Sequence, residues 1–294
     1  MKNSPGSTSF LKSSRSFPYL LTLPVVVALV SLLFYPTVYA VWMSLTSTTA
    51  GSQQAVFVGL QNFQNLFANP GFWQTVWRTV LFTFGSVALS FGFGLALALT
   101  LNSLGSGVPI YQTIFILPIG VSPVVVGITW GMLLNPLYGV VNYLIGLVGV
   151  EPPEWTTSLS MALPTMILID VWQWTPFVML IIYAGLQMLP DEPFEAARID
   201  GASSWQSFHF ITVPLLRPIV TIALIFRGLE AFRAFDVIYA ITRGGPGHAT
   251  STLIIRAYLE SFRFHKLEVG ATIGLVMLLV TLLISKRLVK VLDQ

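Results

Sequence analysis

Six long apolar runs, separated by polar or turn-forming residues, are the feature that most limits how this chain can fold. They cover residues 19–42, 76–101, 110–134, 161–188, 215–241 and 269–283. Most of them reach the roughly 20 residues that a helix needs to cross the hydrocarbon core of a bilayer. With 54% hydrophobic and only 9% charged residues, the chain cannot hide this surface in one soluble core. We therefore predict an all-α, polytopic membrane protein with six transmembrane helices.

The N-terminus and the distribution of charges predict the topology. Residues 1–17 are rich in serine and form a short tail, and residues 18–294 form the transmembrane domain. A cleaved signal peptide is the competing interpretation, but its apolar core would span about 7–15 residues, well short of the run at 19–42. Eight basic residues lie on the side of the termini and of the polar 190–214 segment, against four on the other side. By the positive-inside rule, that segment and both termini are cytoplasmic.

Several local features refine the predicted spans. Small residues in the second span allow neighbouring helices to approach closely; they are Gly85, Ser86, Ser90, Gly92 and Gly94. Pro118 and Pro123 interrupt the third span, and such kinks are tolerated only inside a bundle. We expect the polar connection 46–69 to lie at the membrane interface with aromatic anchors. Residues 243–266 are expected to include a helix lying along the surface.

The 190–214 segment is the longest polar, amphipathic stretch between two apolar runs. Asp191 can accept hydrogen bonds from the free amides of a helix start, and Pro193 suits a first helical turn. Apolar residues recur at three- and four-residue steps, opposite charged ones. The apolar set is Phe194, Ala197, Gly201, Trp205 and Phe208, and the polar set is Glu195, Arg198, Asp200 and Gln206. We interpret the segment as a docking loop built on one helix from Pro193 to Trp205; an interfacial helix without a partner is the alternative.

This loop also carries a recognisable motif, in which Glu-Ala-Ala is followed after three residues by Gly, and further on by Ile and Leu-Pro. The matching positions are Glu195, Ala196, Ala197, Gly201, Ile211 and Pro214, with Val213 in place of the Leu. It resembles the cytoplasmic coupling loop of bacterial importer permeases of the ATP-binding-cassette (ABC) type. The stretches FVGLQNF (57–63), DGA (200–202) and FDVIYAITRGGPG (235–247) are similar, in kind and order, to those of sugar importer permeases.

This resemblance covers nearly the whole chain and implies a type I ABC importer permease fold in the bacterial inner membrane. It implies a second six-span permease, giving a heterodimer, two cytoplasmic ATPase subunits and an extracytoplasmic solute-binding protein. ATP and magnesium would bind to the ATPase subunits, so no cofactor is expected on this chain. The resemblance assigns ATPase coupling to Glu195, Ala196, Ala197, Asp200, Gly201 and Trp205.

Charged residues inside the apolar runs need a separate explanation. Asp170 lies in the fourth run, and Arg227, Glu230, Arg233 and Asp236 lie in the fifth. An Arg or Asp at mid-membrane costs at least about 2.5–3.5 kcal/mol on insertion scales. Opposite charges three residues apart in the fifth run can pair locally. Asp170 and Arg227 lie on different spans, where a carboxylate and a guanidinium supply the acceptors and donors that a polyhydroxylated sugar needs. An ion pair without a ligand role is the alternative.

Maltose-type permeases hold sugar through a span-four motif that resembles DVWQWTPF (170–177) and through one face of the next span. That resemblance implies sugar contacts at Asp170, Gln173, Trp174, Phe177, Arg227, Ala231 and Ala234, and we add the neighbouring Glu230. Arg227, Ala231 and Ala234 are spaced by four and three residues, so they share one face of a continuous helix. This chain departs from the pattern through the charges at 170 and 227, so disaccharides and glycosylated polyols such as trehalose, sucrose and glucosylglycerol all remain candidates.

Other classes of function are less well supported. The chain has no phosphate-binding loop of the Gly-x-x-x-x-Gly-Lys-Ser/Thr type, no cysteine, and no histidine pair with metal-ligand spacing. We predict no enzymatic activity, no metal site and, with few and scattered cations, no binding of nucleic acid. Three alternatives remain: a membrane-embedded enzyme with Asp170, Glu230 or Asp236 as its acid or base, a permease for glycerol phosphates, and a secondary transporter that uses Asp170 and Glu230 as a proton relay.

Overall fold

The computed structural model describes residues 17–48, 55–104 and 107–292, and it is dominated by helices. The predicted tail 1–17 lies outside these ranges except for Phe17. The α-helices are α1 (Phe17–Leu29), α2 (Tyr35–Ser44), α3 (Gln61–Ala68), α4 (Pro70–Ser103), α5 (Val108–Ile116), α6 (Pro123–Leu133), α7 (Val140–Leu147), α8 (Ala162–Gln187), α9 (Glu192–Ile199), α10 (Ser204–Ser207), α11 (Val213–Phe232), α12 (Asp236–Ile241), α13 (Leu253–Tyr258) and α14 (Leu267–Leu292). Two short strands, β1 (Thr46–Thr48) and β2 (Ala55–Phe57), pair antiparallel.

Membrane-spanning helices account for most of this architecture. Within the described ranges, five helical segments are long and apolar enough to cross a bilayer, and one bent pair of helices makes a sixth. The first segment joins α1 to α2 through a π-helical turn, Val30–Phe34, and α2 packs against α14. From Leu21 onwards the apolar side chains of α1 are exposed, as expected for a helix that faces lipid or another subunit.

The third span is bent more sharply than a proline kink. Helices α5 and α6 meet at 91° across a 3₁₀ turn, Leu117–Gly120. Ser122 is extended because the proline at 123 disfavours helical geometry in the residue before it. The sequence therefore placed this break correctly, but only the structure defines its angle.

The fifth span was predicted to run from residue 215 to about residue 241, and the helical segment Ser204–Ile241 is one of those that can cross a bilayer. Its helix is interrupted over residues 233–235, where α11 ends at Phe232 and α12 begins at Asp236. Helix α12 packs closely on α6: a Cβ added at Gly127 would lie 2.7 Å from the Cβ of Ala240. This tertiary contact has no signal in the hydropathy.

Helices α4 and α8 run in parallel and form the centre of the bundle. A Cβ added at Gly94 would lie 2.8 Å from the side chain of Val178, so glycine permits this close approach. The predicted close approach of helices also occurs at Gly85, where an added Cβ would lie 3.1 Å from the side chain of Ile167, but Gly92 faces open space. At the end nearest the 190–214 loop, Gln187 Nε2 donates a hydrogen bond to Asn102 Oδ1 at 2.7 Å.

The predicted surface segments are more structured than expected. In the 46–69 connection, the hairpin β1–β2 is followed by α3, and the side-chain amide of Asn62 donates to the carbonyls of Ser44 and Thr46 at 2.8 Å. The expected surface helix is α13, continued by a π-helical turn, Leu259–Arg263. Its residues Leu253 and Leu259 are buried against the protein, so α13 packs on the bundle rather than lying freely on the membrane.

Candidate functional site

A buried ion pair joins α8 and α11 in the interior of the bundle. Asp170 and Arg227 are 3% and 1% exposed, and Arg227 Nη2 pairs with Asp170 Oδ2. On its other side, Arg227 Nε donates to Ser90 Oγ of α4 at 3.2 Å. Three helices therefore meet at one guanidinium. A buried pair with this geometry removes two charges from lipid together and links the helices that carry them.

Two buried polar atoms at this cluster, Arg227 Nη1 and Gln173 Oε1, have no hydrogen-bond partner within the described protein. A buried donor or acceptor without a partner costs about 1–3 kcal/mol, so native proteins rarely leave one unsatisfied. Free donors and acceptors that converge in this way match the hydroxyl groups of water or of a polyhydroxylated ligand.

The sequence did not identify the contribution of α4 to this cluster. Thr83, Ser86 and Ser90 are spaced by three and four residues, so they share one face of the helix. We interpreted the serines as small packing residues, whereas Ser90 is a direct partner of Arg227. Hydroxyl residues on one face of an otherwise apolar span are the signal that could have revealed them.

Aromatic side chains of α8 flank the cluster. The Cζ atom of Arg227 lies 5.9 Å from the centroid of the Trp174 ring, within range of a cation–π interaction. Trp174 and Phe177 are half-buried and meet edge to face at 6.1 Å. The fold thus brings Asp170, Arg227, Trp174 and Phe177 into one neighbourhood, as the resemblance implied.

Gln173 has a role that sequence reasoning missed. Its Nε2 donates to the carbonyl oxygen of Val121 at 3.1 Å, in the bend between α5 and α6. Gln173 is 1% exposed, and its hydrogen bond to Val121 connects the polar cluster to the broken third span. A movement of α8 would therefore be transmitted to that bend.

The remaining predicted contacts lie towards the end of α11 that is remote from the 190–214 loop. Glu230 pairs with Arg233 at the surface, while Arg227 pairs with Asp170 rather than with Glu230. Ala231 is buried in α11, but Ala234 lies beyond the end of the helix. The prediction that Ala234 shares a helical face with Arg227 was therefore wrong, because it assumed an unbroken fifth span.

The 190–214 loop contains the short helix α9 and then the first turn of a second helix, α10, which continues through a π-helical turn, Phe208–Thr212, into α11. Helix α9 ends in a Schellman motif, in which Gly201 has φ +75°, Gly201 N donates to Arg198 O, and Ala202 N donates to Ala197 O. Helix α10 then begins with a capping box between Ser203 and Gln206. The predicted single helix from Pro193 to Trp205 was wrong, because these two motifs end one helix and start another.

Both polar and apolar side chains of the 190–214 loop are exposed to solvent. Glu195, Ala196 and Asp200 are exposed, Ala197 is buried, and Trp205 is 71% exposed. The expected apolar stripe is therefore not buried as one face. Helix α9 begins after Asp191 as predicted, but the Asp191 side chain makes no capping hydrogen bond.

A polytopic helical bundle with a polar cluster among three spans and an exposed helical loop at one end is the architecture of a membrane transport subunit. The chain belongs to the family described as "Binding-protein-dependent transport system inner membrane component", whose model matches residues 90–294. It is therefore a multi-pass inner-membrane permease subunit of an importer and has no catalytic role of its own.

Individual relatives agree with this assignment. The chain is 37% identical over 240 residues to the trehalose/maltose transport system permease protein of Thermococcus litoralis, covering 82% of this chain and 81% of that protein. It is 33% identical over 272 residues to the sulfoquinovosyl glycerol transport system permease protein of Agrobacterium fabrum, covering 92% and 88%.

A solved structure has the same fold. A chain of the bacterial alginate ABC transporter, crystallised in complex with an alginate pentasaccharide-bound periplasmic protein, matches with a TM-score of 0.79. The identity is 22%, and the match covers 93% of each chain. The predicted ABC importer permease fold is thereby confirmed.

Proposed function

We propose that this chain forms half of the translocation pathway of an ATP-driven importer for a carbohydrate. The cargo class is a neutral disaccharide or glycosylated polyol such as trehalose, sucrose or glucosylglycerol. Relatives named for trehalose/maltose and for sulfoquinovosyl glycerol transport support a glycoside as cargo. A permease dimer would complete the pathway, and an extracytoplasmic binding protein would deliver the sugar.

The observation that carries this proposal is the buried polar cluster beside Trp174. Arg227 Nη1 and Gln173 Oε1 are a free donor and a free acceptor, and Trp174 offers the apolar face on which a sugar ring can pack. The conformation described here keeps the cluster closed, so sugar would reach it when α8 and α11 separate. The proposed contacts are Asp170, Gln173, Trp174, Phe177, Arg227, Glu230, Ala231 and Ala234.

We assign ATPase docking to the 190–214 loop. Ile199, Trp205 and Phe210 are 88%, 71% and 71% exposed on this loop, and exposed apolar groups of this kind mark interaction sites. Two ATPase subunits, which carry ATP and magnesium, would bind this surface through Glu195, Ala196, Ala197, Asp200, Gly201 and Trp205. The loop and both termini would be cytoplasmic, in agreement with the charge distribution.

In this mechanism, closure of the ATPase dimer moves α9 and α10. Helices α8 and α11 flank the loop and carry Asp170 and Arg227, so their movement opens and closes the polar cluster. Gln173 transmits the same movement to the bend at Val121. Access to the cluster then alternates between the two sides of the membrane.

Two alternatives fit this geometry less well: a glycerol phosphate as the cargo, and a secondary transporter with a proton relay. A glycerol phosphate needs unpaired positive charge, whereas Arg227 is neutralised by Asp170. A proton relay needs a chain of titrating groups, whereas Asp170 is paired inside the bundle and Glu230 is paired at the surface. Collapse of the proton gradient at constant ATP should therefore leave uptake intact.

Competition for uptake tests the assignment of the site. The double variant Asp170→Asn with Arg227→Gln keeps hydrogen-bonding capacity and removes both charges. If these groups contact sugar, the ranking of trehalose, sucrose, maltose and glycerol phosphates as competitors should change, while Arg243→Gln, an exposed neutralisation elsewhere, preserves the ranking. An unchanged ranking in the double variant would reduce the pair to a structural role.

A further inference from the structure

We propose that the end of the chain opposite the 190–214 loop binds an anionic phospholipid. The headgroup phosphate would lie against Arg78, and an acyl chain would occupy a groove between α4 and α8. Two adjoining cavities carry this assignment: one of about 200 Å³ and one of about 750 Å³. Both are lined by Arg78 and His248, so the first opens directly onto the second. The site is independent of the proposed cargo.

The smaller cavity has a surplus of positive charge. It is lined by Arg78, Arg256 and His248, with Glu260 as the carboxylate among its lining residues. Arg256 lies 3.7 Å from Glu260, so these two charges balance. Arg78 donates only weakly, at 3.4 Å, to the neutral amide oxygen of Gln74. Arg78 has no carboxylate partner among the residues that the structure describes, and such a guanidinium in a half-enclosed cavity is suited to a phosphate.

The larger cavity is apolar and follows the helices into the bilayer. Trp77, Leu81 and Phe84 of α4 line one side, and Leu163 and Ile167 of α8 line the other. The three α4 residues are all exposed within this chain. At a helical rise of about 1.5 Å per residue, the lining from Trp77 to Phe84 makes the groove about 10 Å long. An acyl chain can lie along such a surface, and a soluble anion would leave it uncovered.

Membrane depth fits a lipid. Exposed Trp73 and Trp77 mark the level of the headgroups, where Trp is enriched. Arg78 precedes Asn102, at the opposite end of α4, by 24 residues, which corresponds to about 36 Å of helix against about 30 Å of hydrocarbon. Arg78 is therefore at headgroup level while the groove below it enters the hydrocarbon. Basic pockets between transmembrane helices bind anionic headgroups by this combination of charge and depth.

Two matched pairs of variants test the site in the complete transporter, purified in mild detergent and supplied with phosphatidylglycerol. Native mass spectrometry measures the bound lipid. Arg78→Gln should weaken retention about fivefold, the factor for one cation near an anionic surface, while Arg243→Gln, outside both cavities, should leave it unchanged. Leu81→Trp fills the groove and should displace the lipid. Leu89→Trp is the control, because Leu81 and Leu89 are both 40% exposed on α4 and Leu89 does not line the groove.

Four results would overturn the proposal. Equal retention of phosphatidylglycerol by Arg78→Gln and the parent, or equal retention of zwitterionic phosphatidylcholine, would remove the role of charge. Loss of a second permease subunit in Leu81→Trp with lipid still bound would make the groove a subunit interface. Reduced association of the binding protein with Arg78→Gln in lipid-free detergent would make the cationic cavity a protein docking surface.

Discussion

Removing Arg227 should destabilise the transporter strongly, because the substitution leaves a charged partner in the interior. In Arg227→Met, Asp170 stays 3% exposed with no counterion, and Ser90 loses a donor. Breaking a buried pair from one side costs about 3–5 kcal/mol, whereas replacing both partners with apolar residues of similar volume is often neutral. We therefore expect Asp170→Leu with Arg227→Met to recover most of the lost stability.

Thermal unfolding of the purified transporter, followed by tryptophan fluorescence, measures this cycle. Trp174, one of the eight tryptophans of the chain, lies 5.9 Å from the Arg227 guanidinium, so the signal includes the site. Arg233→Met is the matched control, because Arg233 caps the C-terminal end of α11, the helix that carries Arg227. Its ion pair with Glu230 is solvent-exposed, and such pairs contribute about 0–1 kcal/mol to the free energy of unfolding. The reasoning fails if Arg227→Met is as mild as this control, or if the double variant is no more stable than the single one.

Three further predictions concern coupling, packing and orientation. Gly201→Asp should abolish copurification of the ATPase, whereas Gly149→Asp, at an equally left-handed φ of +76° with the same open space, should not; equal ATPase recovery from both would contradict docking at the loop. Gly94→Val should lower the melting temperature by an equivalent of about 1–3 kcal/mol through overpacking against α8, and an unchanged melting temperature would show that the two helices can separate freely. Because the chain has no cysteine, single cysteines at Leu137 and Ile199, which are 93% and 88% exposed, can be labelled in spheroplasts with an impermeant maleimide. Only Leu137→Cys should react, and labelling of Ile199→Cys alone would invert the topology.

Local chemistry explains why much of the architecture was predictable. Apolar runs longer than a bilayer is thick specify spanning helices, since lipid offers no hydrogen bonds to an open backbone. The break near Pro118 and Pro123 and the start of α9 after Asp191 were also predictable, because each depends on backbone geometry within a few residues. The family followed from the motif in the 190–214 loop and from the related motifs around it.

Long-range packing decided the rest. Asp170 and Arg227 were identified as charges in need of compensation, but a periodic pattern could not choose between pairing within the fifth span and pairing across spans. That choice depends on which faces of α8 and α11 meet, and on Ser90, which α4 brings to the same point. The interruption of the helix between Phe232 and Asp236 likewise has no signal in the hydropathy. Hydropathy reports how much each residue prefers lipid, whereas the partner of a buried charge is set by contacts between helices distant in sequence.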